Sequence, residues 1–479
     1  MRLMEEMRRR IEGVRKRLIP YRDIGAAAGV KSPLGSGMAA ALGLWRDLYH
    51  NKAPWREPGK VKSLNLPALA AGEIARQMVL ELGWRVGPGP GGGERSPRAE
   101  YLERELAGLM DVLRLKTEVG CAAGGMIVKP CPDPAAGKIN FDFAPDWSIY
   151  PLAFDGAGNL ADVIIPDVYR EGDAIFTRLE RHMLCGEDVT ITQRAFRSTR
   201  EDLLGTEVPL ASVARWAALQ PEVTVTGAGG MLFGWFKVAS ANTVDAECPL
   251  GASVFAKAVD VAREIDLQYS RLLWEFEGGE LAVDVDPTAL YEKRDGKGHA
   301  LPKLNERLFR AVDTGAESTY QVFAPALRDQ SLVNGLNQLL IRFEDLCGLS
   351  RGTFSDANVE ARTATELKIV KQRGYATVAD NQKALEKCLR DVLRAMDVYA
   401  TLYGLAPAGE WAASFEWDDS ILTDVDEQLR QRLMLLEAGV VSRAEVRQWY
   451  LGESREQAEA AVAKIQGGGR EGAGGRGVF

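Results

Sequence analysis

Few residues in this sequence have the types and spacing of a chemical centre. His182 and Cys185 stand three positions apart and could share a metal ion, but no second pair has ligand spacing and the chain holds only three histidines. We therefore interpret them as a surface histidine beside a buried thiol. A magnesium-dependent nuclease would need convergent carboxylates, and the nearest approach is Asp146 with Glu366 and Lys368, which lie over 200 residues away. We expect no catalytic residue, no metal and no cofactor.

Two glycine-containing segments resemble ligand-binding loops, and a third is a run of glycine and proline. Gly227-Ala-Gly-Gly230 follows a strand-like segment, but the third glycine of a dinucleotide fingerprint would fall on Leu232 and no P-loop lysine follows, so we predict a hairpin turn. Residues 155–159 (DGAGN) carry only two oxygen side chains where a calcium loop needs about six ligands, so we predict a hairpin turn there too. Residues 87–93 (GPGPGGG) predict a mobile surface loop, because glycine and proline disfavour helix and strand.

The composition is that of a soluble globular protein. Of 479 residues, 46% are hydrophobic and 26% are charged. No signal peptide and no run of about 18 apolar residues is visible, so we expect an intracellular chain without a membrane span. Six scattered cysteines favour a reducing compartment and buried free thiols. The net charge of −8 argues against a protein that grips nucleic acid, but it does not argue against a conduit along which DNA slides.

The hydrophobic periodicity changes along the first half of the chain. Residues 1–120 predict mainly helices, one of them near residues 69–82. Residues 125–237 alternate apolar and polar side chains, for example at Phe141 and Phe143, and this alternation predicts a series of short strands. The clearest further strands are predicted at residues 163–168, 188–196 and 223–225.

Two amphipathic helices flank an insertion. Residues 252–277 place apolar side chains on one helical face, and the pattern ends at Gly278-Gly279. Residues 278–325 return to a strand-like alternation that includes Val283 and Val285. A second amphipathic helix is predicted over residues 326–347.

A polar stretch after Gly348 leads into an unusually long helix, predicted over residues 363–403 with a bend at Gly374. At 1.5 Å per residue, about 40 residues would span roughly 60 Å, which is longer than the core of a small enzyme requires. Its second half predicts one packed face, formed by Leu385, Cys388, Leu389, Val392, Met396, Tyr399 and Tyr403.

The C-terminal region predicts a strand at residues 415–420 and a helix over 424–438. Two capping boxes follow, Ser442 with Glu445 and Ser454 with Gln457, and each marks the start of a further helix. These two helices predict a helical hairpin before a glycine-rich, flexible end.

The order of these parts resembles the portal proteins of tailed bacteriophages, in particular the siphophage type. The resemblance rests on LWRDLYHNKAPW at residues 44–55, on the block at 236–279, on ARTATELK at 361–368 and on LMLLEAGVVSRAEVRQWYLG at 433–452. It implies an α+β fold with a β-rich wing, paired stem helices, a small α/β clip, a long kinked helix and a helical crown. The implied boundaries are a wing over 1–251, stem helices over 252–277 and 326–347, a clip over 278–325, a tunnel loop over 348–362, a wing and tunnel helix over 363–403, a crown over 404–466 and a disordered tail over 467–479.

The resemblance also implies a function. Members of the family form a dodecameric ring at one capsid vertex, through which double-stranded DNA is packaged and ejected. The implied partners are further copies of the chain, the terminase large subunit, head-completion or adaptor proteins, scaffold and major capsid proteins, and DNA without sequence preference. The chain would lie in the virion, and in the host cytoplasm during assembly. The alternative is another minor capsid or structural protein of a phage or prophage, without a channel.

Two sets of site residues follow from the resemblance. Residues in or just after the tunnel loop would face DNA, as local cations and polar groups in an acidic ring: Arg351, Thr353, Ser355, Asn358, Arg362, Lys368, Lys371 and Arg373. Residues of the clip would bind terminase or adaptor: Tyr291, Lys293, Arg294, Asp295 and Lys297. The alternative for the cations is ordinary surface charge or salt bridges between subunits.

Overall fold

The structure is a computed structural model that describes residues 21–30, 33–89, 96–200, 202–285, 308–311, 320–356, 364–417, 425–451 and 454–468. These residues form both helices and strands, which confirms a mixed α and β fold class. The chain divides into two units, Met1–Glu416 and Trp417–Phe479. Within the described ranges, no helix is both long and apolar enough to cross a membrane.

The first unit begins with helices α1 (Tyr21–Ala28), α2 (Ser36–Tyr49) and α3 (Leu66–Val79), the strand β1 (Leu82–Pro88) and the long helix α4 (Pro97–Ala123). The Ser96 side chain caps α4 by accepting a hydrogen bond from the Ala99 N–H at 3.3 Å. The helix ends at Gly124, where φ is +91° and an added Cβ would lie 2.4 Å from the Gly251 carbonyl oxygen. Only glycine fits both conditions.

Strand β1 corrects two predictions. The helix predicted near residues 69–82 ends at Val79, and Gly87 and Pro88 close a strand instead of opening a mobile loop. The partner of β1 is the strand at Trp411–Trp417, more than 300 residues away, so no local pattern could reveal the pairing. Pro88 stands at the strand end, where the missing N–H costs little. Residues 90–93 of the same run lie outside the described residues.

Residues 125–237 form two antiparallel sheets, which confirms the predicted strand-rich region. In chain order the strands are β2 (Gly125–Asp133), β3 (Lys138–Pro145), β4 (Tyr150–Phe154), β5 (Leu160–Glu171), β6 (Ala174–Cys185), β7 (Asp188–Ser198), β8 (Thr206–Val208), β9 (Glu222–Val225) and β10 (Gly234–Lys237). The small sheet has the order β10-β2-β3. The large sheet has the order β4-β5-β6-β7-β8, with β9 also paired to β7.

The turn between β4 and β5 is the predicted hairpin. The Asp155 N–H donates to the Asn159 carbonyl oxygen at 2.9 Å, and β4 pairs antiparallel with β5. The Asp155 carboxylate accepts from the backbone N–H groups of Ala157 at 2.9 Å and Asn159 at 2.8 Å. This carboxylate therefore stabilises the turn itself.

The predicted hairpin at Gly227–Gly230 is wrong. β9 pairs with β7 in the large sheet, whereas β10 pairs with β2 in the small sheet, so the segment crosses between sheets. Arg394 donates to the carbonyl oxygens of Ala228 and Met231, each at 3.1 Å, and an added Cβ at Gly230 would lie 2.8 Å from its guanidinium carbon. Gly230 therefore leaves space for the Arg394 guanidinium, which stabilises the segment that connects the two sheets.

Two helices flank a small sheet, as predicted. A 3-10 turn at Ala256–Ala258 leads into α5 (Val259–Gly278), and after the sheet α6 runs over Asp329–Cys347. Both helices start a few residues later than predicted. The sheet between them contains β11 (Ala282–Val285), β12 (Phe309–Ala311) and β13 (Tyr320–Phe323) in the order β12-β11-β13, and we call it the insertion sheet.

The long helix α7 spans Ala364–Leu402, which confirms its prediction, and leads to β14 (Trp411–Trp417). Its second half packs on the small sheet, where an added Cβ at Gly234 would lie 2.2 Å from the Cys388 carbonyl oxygen. Tyr403 is 48% exposed, contrary to the prediction, because the helix has ended and Gly404 turns the chain with a φ of +60°. The other six residues of the predicted face are buried.

The second unit contains α8 (Val425–Glu437), α9 (Arg443–Leu451) and α10 (Arg455–Gly468). Both predicted capping boxes are present. Ser442 and Glu445 exchange hydrogen bonds of 2.7 and 3.2 Å, and Ser454 and Gln457 exchange bonds of 3.2 and 3.3 Å. The three helices surround an apolar groove of about 290 Å³ lined by Leu429, Leu436, Arg443, Val446, Arg447, Tyr450, Leu451 and Val462.

Candidate functional site

The predicted arrangement of His182 and Cys185 is reversed. His182 is fully buried in β6, with Nε2 2.7 Å from Glu180 Oε1, whereas Cys185 is exposed at the strand end. Residues three apart in a strand point to opposite faces, so the pair does not converge on one ion. In the described part of the chain, no group of three histidine, cysteine or acidic residues has the geometry of a metal site.

A buried ionic cluster joins the two sheets. Lys129 Nζ in β2 lies 2.8 and 2.9 Å from the two Glu180 carboxylate oxygens in β6, and Arg178 lies 3.0 Å from the same carboxylate. Burial alone would raise the pKa of Glu180, but Lys129, His182 and Arg178 together hold this pKa well below its ordinary value. The cluster is a charged link between strands, with each charge compensated.

Asp146, one of the carboxylates considered above for a magnesium site, is also fully buried. Trp235 Nε1 donates to its Oδ1 at 3.1 Å. Burial raises the pKa of Asp146 to about 7, against the opposing effects of Trp235 and Lys237. The side chains of Glu366 and Lys368 are outside the described part of the chain. Asp146 therefore belongs to the core of the small sheet, away from solvent.

Helices α5 and α6 form an antiparallel pair held at the end next to the insertion sheet. Arg328, just before α6, donates from its guanidinium to the Glu275 carboxylate at 2.7 and 3.1 Å, and its backbone N–H donates at 3.0 Å. These bonds lower the pKa of Glu275 to about 2. An added Cβ at Gly279 would lie 2.2 Å from Leu327 Cδ2, so the two chains approach closely there.

The insertion sheet has one charged face and one apolar face. Asp284 in β11 pairs with Arg310 in β12 at 2.8 Å, and the Arg310 guanidinium lies 4.6 Å from the Phe323 ring centroid. The opposite face carries Tyr320 and Val322, which are 65% and 54% exposed. The predicted terminase or adaptor residues Tyr291, Lys293, Arg294, Asp295 and Lys297 all lie outside the described residues.

The loop after α6 is held by a buried carboxylate. Glu344, near the end of α6, is fully buried, and its Oε1 accepts from the backbone N–H groups of Phe354 and of Ser355, the latter at 2.7 Å. Its Oε2 accepts from the Ser355 hydroxyl at 2.8 Å and from the Gly352 N–H at 3.1 Å. Asn337, two turns earlier, bonds both backbone groups of Asp356, at 2.8 and 3.3 Å. The loop therefore lies along α6.

The loop also packs tightly against α7. An added Cβ at Gly348, where φ is +71°, would lie 2.5 Å from the Thr377 hydroxyl, and one at Gly374 would lie 2.5 Å from the Ser350 hydroxyl. Leu349 is only 2% exposed. Gly374, where the sequence predicts a bend, is thus a position of close approach between α7 and the loop.

The structure places three of the eight DNA-facing candidates in this loop. Ser355 is 7% exposed, and its hydroxyl donates to the Glu344 carboxylate at 2.8 Å. The Thr353 hydroxyl donates to the Ser350 carbonyl oxygen. The Arg351 side chain is 49% exposed and pairs with Asp345 at 2.9 Å. Asn358 and Arg362 lie outside the described residues, as do the side chains of Lys368, Lys371 and Arg373.

A strap over residues 51–65 binds α5. Trp55 Nε1 and the Leu64 N–H both donate to the Asp266 carboxylate at 3.0 Å, and the Lys62 N–H donates to the Ser270 hydroxyl at 2.9 Å. The strap begins and ends at Asn51 and Asn65, whose φ values of +56° and +54° are left-handed. Trp55 is the last residue of one of the recognisable sequence stretches, and the structure gives it this role.

Glu344 and Asp266 were missed by the sequence analysis. Each is an acidic residue on the predicted apolar face of an amphipathic helix and is at most 5% exposed. Their position on that face could have identified them from the sequence, because a charged side chain that faces the core needs buried hydrogen-bond partners.

Comparison with known families gives one match that covers most of the chain. The family described as phage portal protein, SPP1 Gp6-like, matches residues 120–469. No curated protein matches the chain. A chain from the virion of a native gene transfer agent particle is 12% identical, with 91% of this chain and 99% of that chain covered and a TM-score of 0.39. A chain from the neck of the native particle is 10% identical, with 88% and 96% covered and a TM-score of 0.37.

The family match includes the two sheets, the helix pair, the loop at 348–356 and the long helix. The chain therefore belongs to the SPP1 Gp6-like family of phage portal proteins.

Proposed function

We propose that twelve copies of this chain form a ring at one capsid vertex and that double-stranded DNA passes through the axis of the ring during packaging and ejection. The observation that carries the proposal is the antiparallel pair α5 and α6, which is followed directly by the anchored loop and the long helix α7. In this reading the helix pair is the stem, the insertion sheet belongs to the clip and the loop after α6 lies at the channel.

The surface of the helix pair supports assembly into a ring. Trp274 and Phe276 of α5 are 66% and 44% exposed, and Val333 of α6 is 37% exposed. Exposed apolar residues grouped along one pair of helices are typical of surfaces that are covered by another protein. Neighbouring copies would cover them in a closed ring.

The charge supports sliding without a tight grip. Each chain carries −8, so twelve copies carry −96. In the described part of the loop, the guanidinium of Arg351 is already paired with Asp345. A channel with few uncompensated cations holds phosphate weakly and without regard to sequence, which suits a moving duplex.

The remaining parts of the proposal follow from family membership. The terminase large subunit during packaging, and head-completion or adaptor proteins afterwards, would bind the clip at residues 278–325. Scaffold and major capsid proteins would contact the ring in the shell. The chain would assemble in the host cytoplasm and remain in the virion.

Electron microscopy of the purified chain, with mass determination in parallel, tests the ring directly. We expect a ring of about twelve subunits with an axial hole wide enough for a duplex. A closed oligomer without an axial hole would contradict the proposal, and in that case a minor capsid protein without a channel would be the better interpretation.

A further inference from the structure

Glu344 occupies a position that helix packing alone does not explain. Its carboxylate is fully buried at the end of α6, and four donors from residues 352–355 converge on it, two on each oxygen. Three of these donors are backbone N–H groups. A buried charge is costly unless such donors compensate it, so the carboxylate and the loop conformation depend on each other.

Further contacts hold the same stretch from both sides. On α6, Asn337 bonds the backbone of Asp356, and the Phe343 ring lies 6.3 Å from the Phe354 ring, centroid to centroid. On α7, Gly374 leaves room for Ser350. The loop is thus attached along its length, and among the described side chains that bond it, Asn337 bonds the backbone of one residue whereas Glu344 bonds the backbone of three.

We propose that Glu344 is the positioning residue of this loop: its carboxylate fixes the backbone of residues 352–355 on α6 and so sets where Arg351 and Thr353 stand relative to passing DNA. The inference rests on the proposed function, in which the loop lies at the channel. Glu344 itself touches no DNA, because it is buried beneath the residues that it holds.

Asp345 supplies a matched comparison. It is the next residue on α6, it is also a carboxylate, and it bonds the loop through the Arg351 side chain at 2.9 and 3.0 Å. Asp345→Asn removes this side-chain ion pair and leaves the Glu344 bonds in place. Glu344→Gln keeps the size of the side chain but presents an amide N–H group to the Gly352 N–H, and Glu344→Ala removes every acceptor.

The test is amide hydrogen exchange on the assembled ring. In Glu344→Ala we expect residues 352–355 to exchange roughly ten- to a hundredfold faster than in the wild type, with a smaller increase in Glu344→Gln. Amides of α5 should be unchanged, and Asp345→Asn should leave residues 352–355 at the wild-type rate. Wild-type exchange of these amides in Glu344→Ala would overturn the proposal. If Glu344→Ala forms no ring, Ser355→Ala replaces it, with about a threefold to tenfold increase expected at Gly352 and Phe354.

DNA packaging into procapsids separates this proposal from the proposed function. Packaging should slow in the order wild type, Glu344→Gln, Glu344→Ala. Faster loop exchange with unchanged packaging would overturn the positioning role, because the loop would then be loose without consequence. Failure of the wild-type ring to package DNA would instead count against the proposed function and would leave the exchange result standing.

Discussion

At the scale of single residues, Asp146 should make stability depend on pH. Its pKa is raised to about 7 by burial, whereas an unfolded aspartate has a pKa of 3.8, so the folded state binds the proton more tightly. Stability is therefore highest below the unfolded pKa and falls as the pH rises between these two values. Asp146→Asn resembles the protonated form and should remove this fall, a difference on the order of 4 kcal/mol above about pH 7.

Unfolding of the wild type and of Asp146→Asn from about pH 4 to about pH 8 measures the effect. The two curves should coincide at the acidic end and separate as the pH rises. Parallel curves across the range would show that the Asp146 carboxyl does not titrate in this window.

Ser355 illustrates how much a residue type leaves open at this scale. A serine in a polar loop is an ordinary phosphate ligand, and the resemblance placed it at DNA. In the structure its hydroxyl is bound to Glu344 and its side chain is buried. The nearby Arg351 remains half exposed and is the better candidate among the described loop residues.

At the scale of elements, replacing two glycines by alanine should change the stability of the protein in opposite directions. An added Cβ at Gly234 in β10 would lie 2.2 Å from the Cys388 carbonyl oxygen of α7, and neither backbone yields easily. Gly234→Ala should destabilise the first unit by at least about 2 kcal/mol. Gly108 lies on the exposed side of α4 with no atom within 4 Å of an added Cβ, so Gly108→Ala should stabilise by about 0.5–1 kcal/mol. Denaturant unfolding of both variants checks the signs.

The strap at residues 51–65 should be energetically coupled to α5. Asp266→Ala leaves the Trp55 indole N–H and the Leu64 N–H without their acceptor, and we expect a loss of about 2–4 kcal/mol. Ser270→Ala, which removes the bond to Lys62, should cost about 1 kcal/mol. A double-mutant cycle between Trp55→Phe and Asp266→Ala should give a coupling of about 1 kcal/mol. Additive effects would mean that the strap lies on α5 without holding it.

At the scale of the whole molecule, the proposed ring should bind a duplex weakly and with little dependence on salt. Asp345→Asn removes the partner of Arg351 in every subunit. The slope of log affinity against log salt should then steepen by about 0.9 for each guanidinium that reaches a phosphate. Fluorescence anisotropy of a short labelled duplex with assembled rings, at several salt concentrations, measures this slope. Equal slopes for wild type and variant would place Arg351 away from the duplex.

Much of the architecture was predictable because its causes are local. The long helix at Ala364–Leu402, the helix pair, the 155–159 hairpin and both capping boxes follow from periodicity or from bonds between residues at most four positions apart. The family resemblance rested on the same information, the order of such elements along the chain. Predicting these features requires no knowledge of the tertiary structure.

Other features depend on partners that are distant in the sequence, and only the tertiary structure decided them. Four features bring together segments that no local pattern connects. They are the pairing of β1 with β14, the passage from one sheet to the other at Gly227–Gly230, the packing that buries His182 and the binding of the strap to Asp266. The sequence alone places the carboxylate of Glu344 on the apolar face of a predicted helix. Which backbone groups compensate that charge was decided by the folding of the following loop back onto α6, since a buried carboxylate must find its donors wherever the chain supplies them.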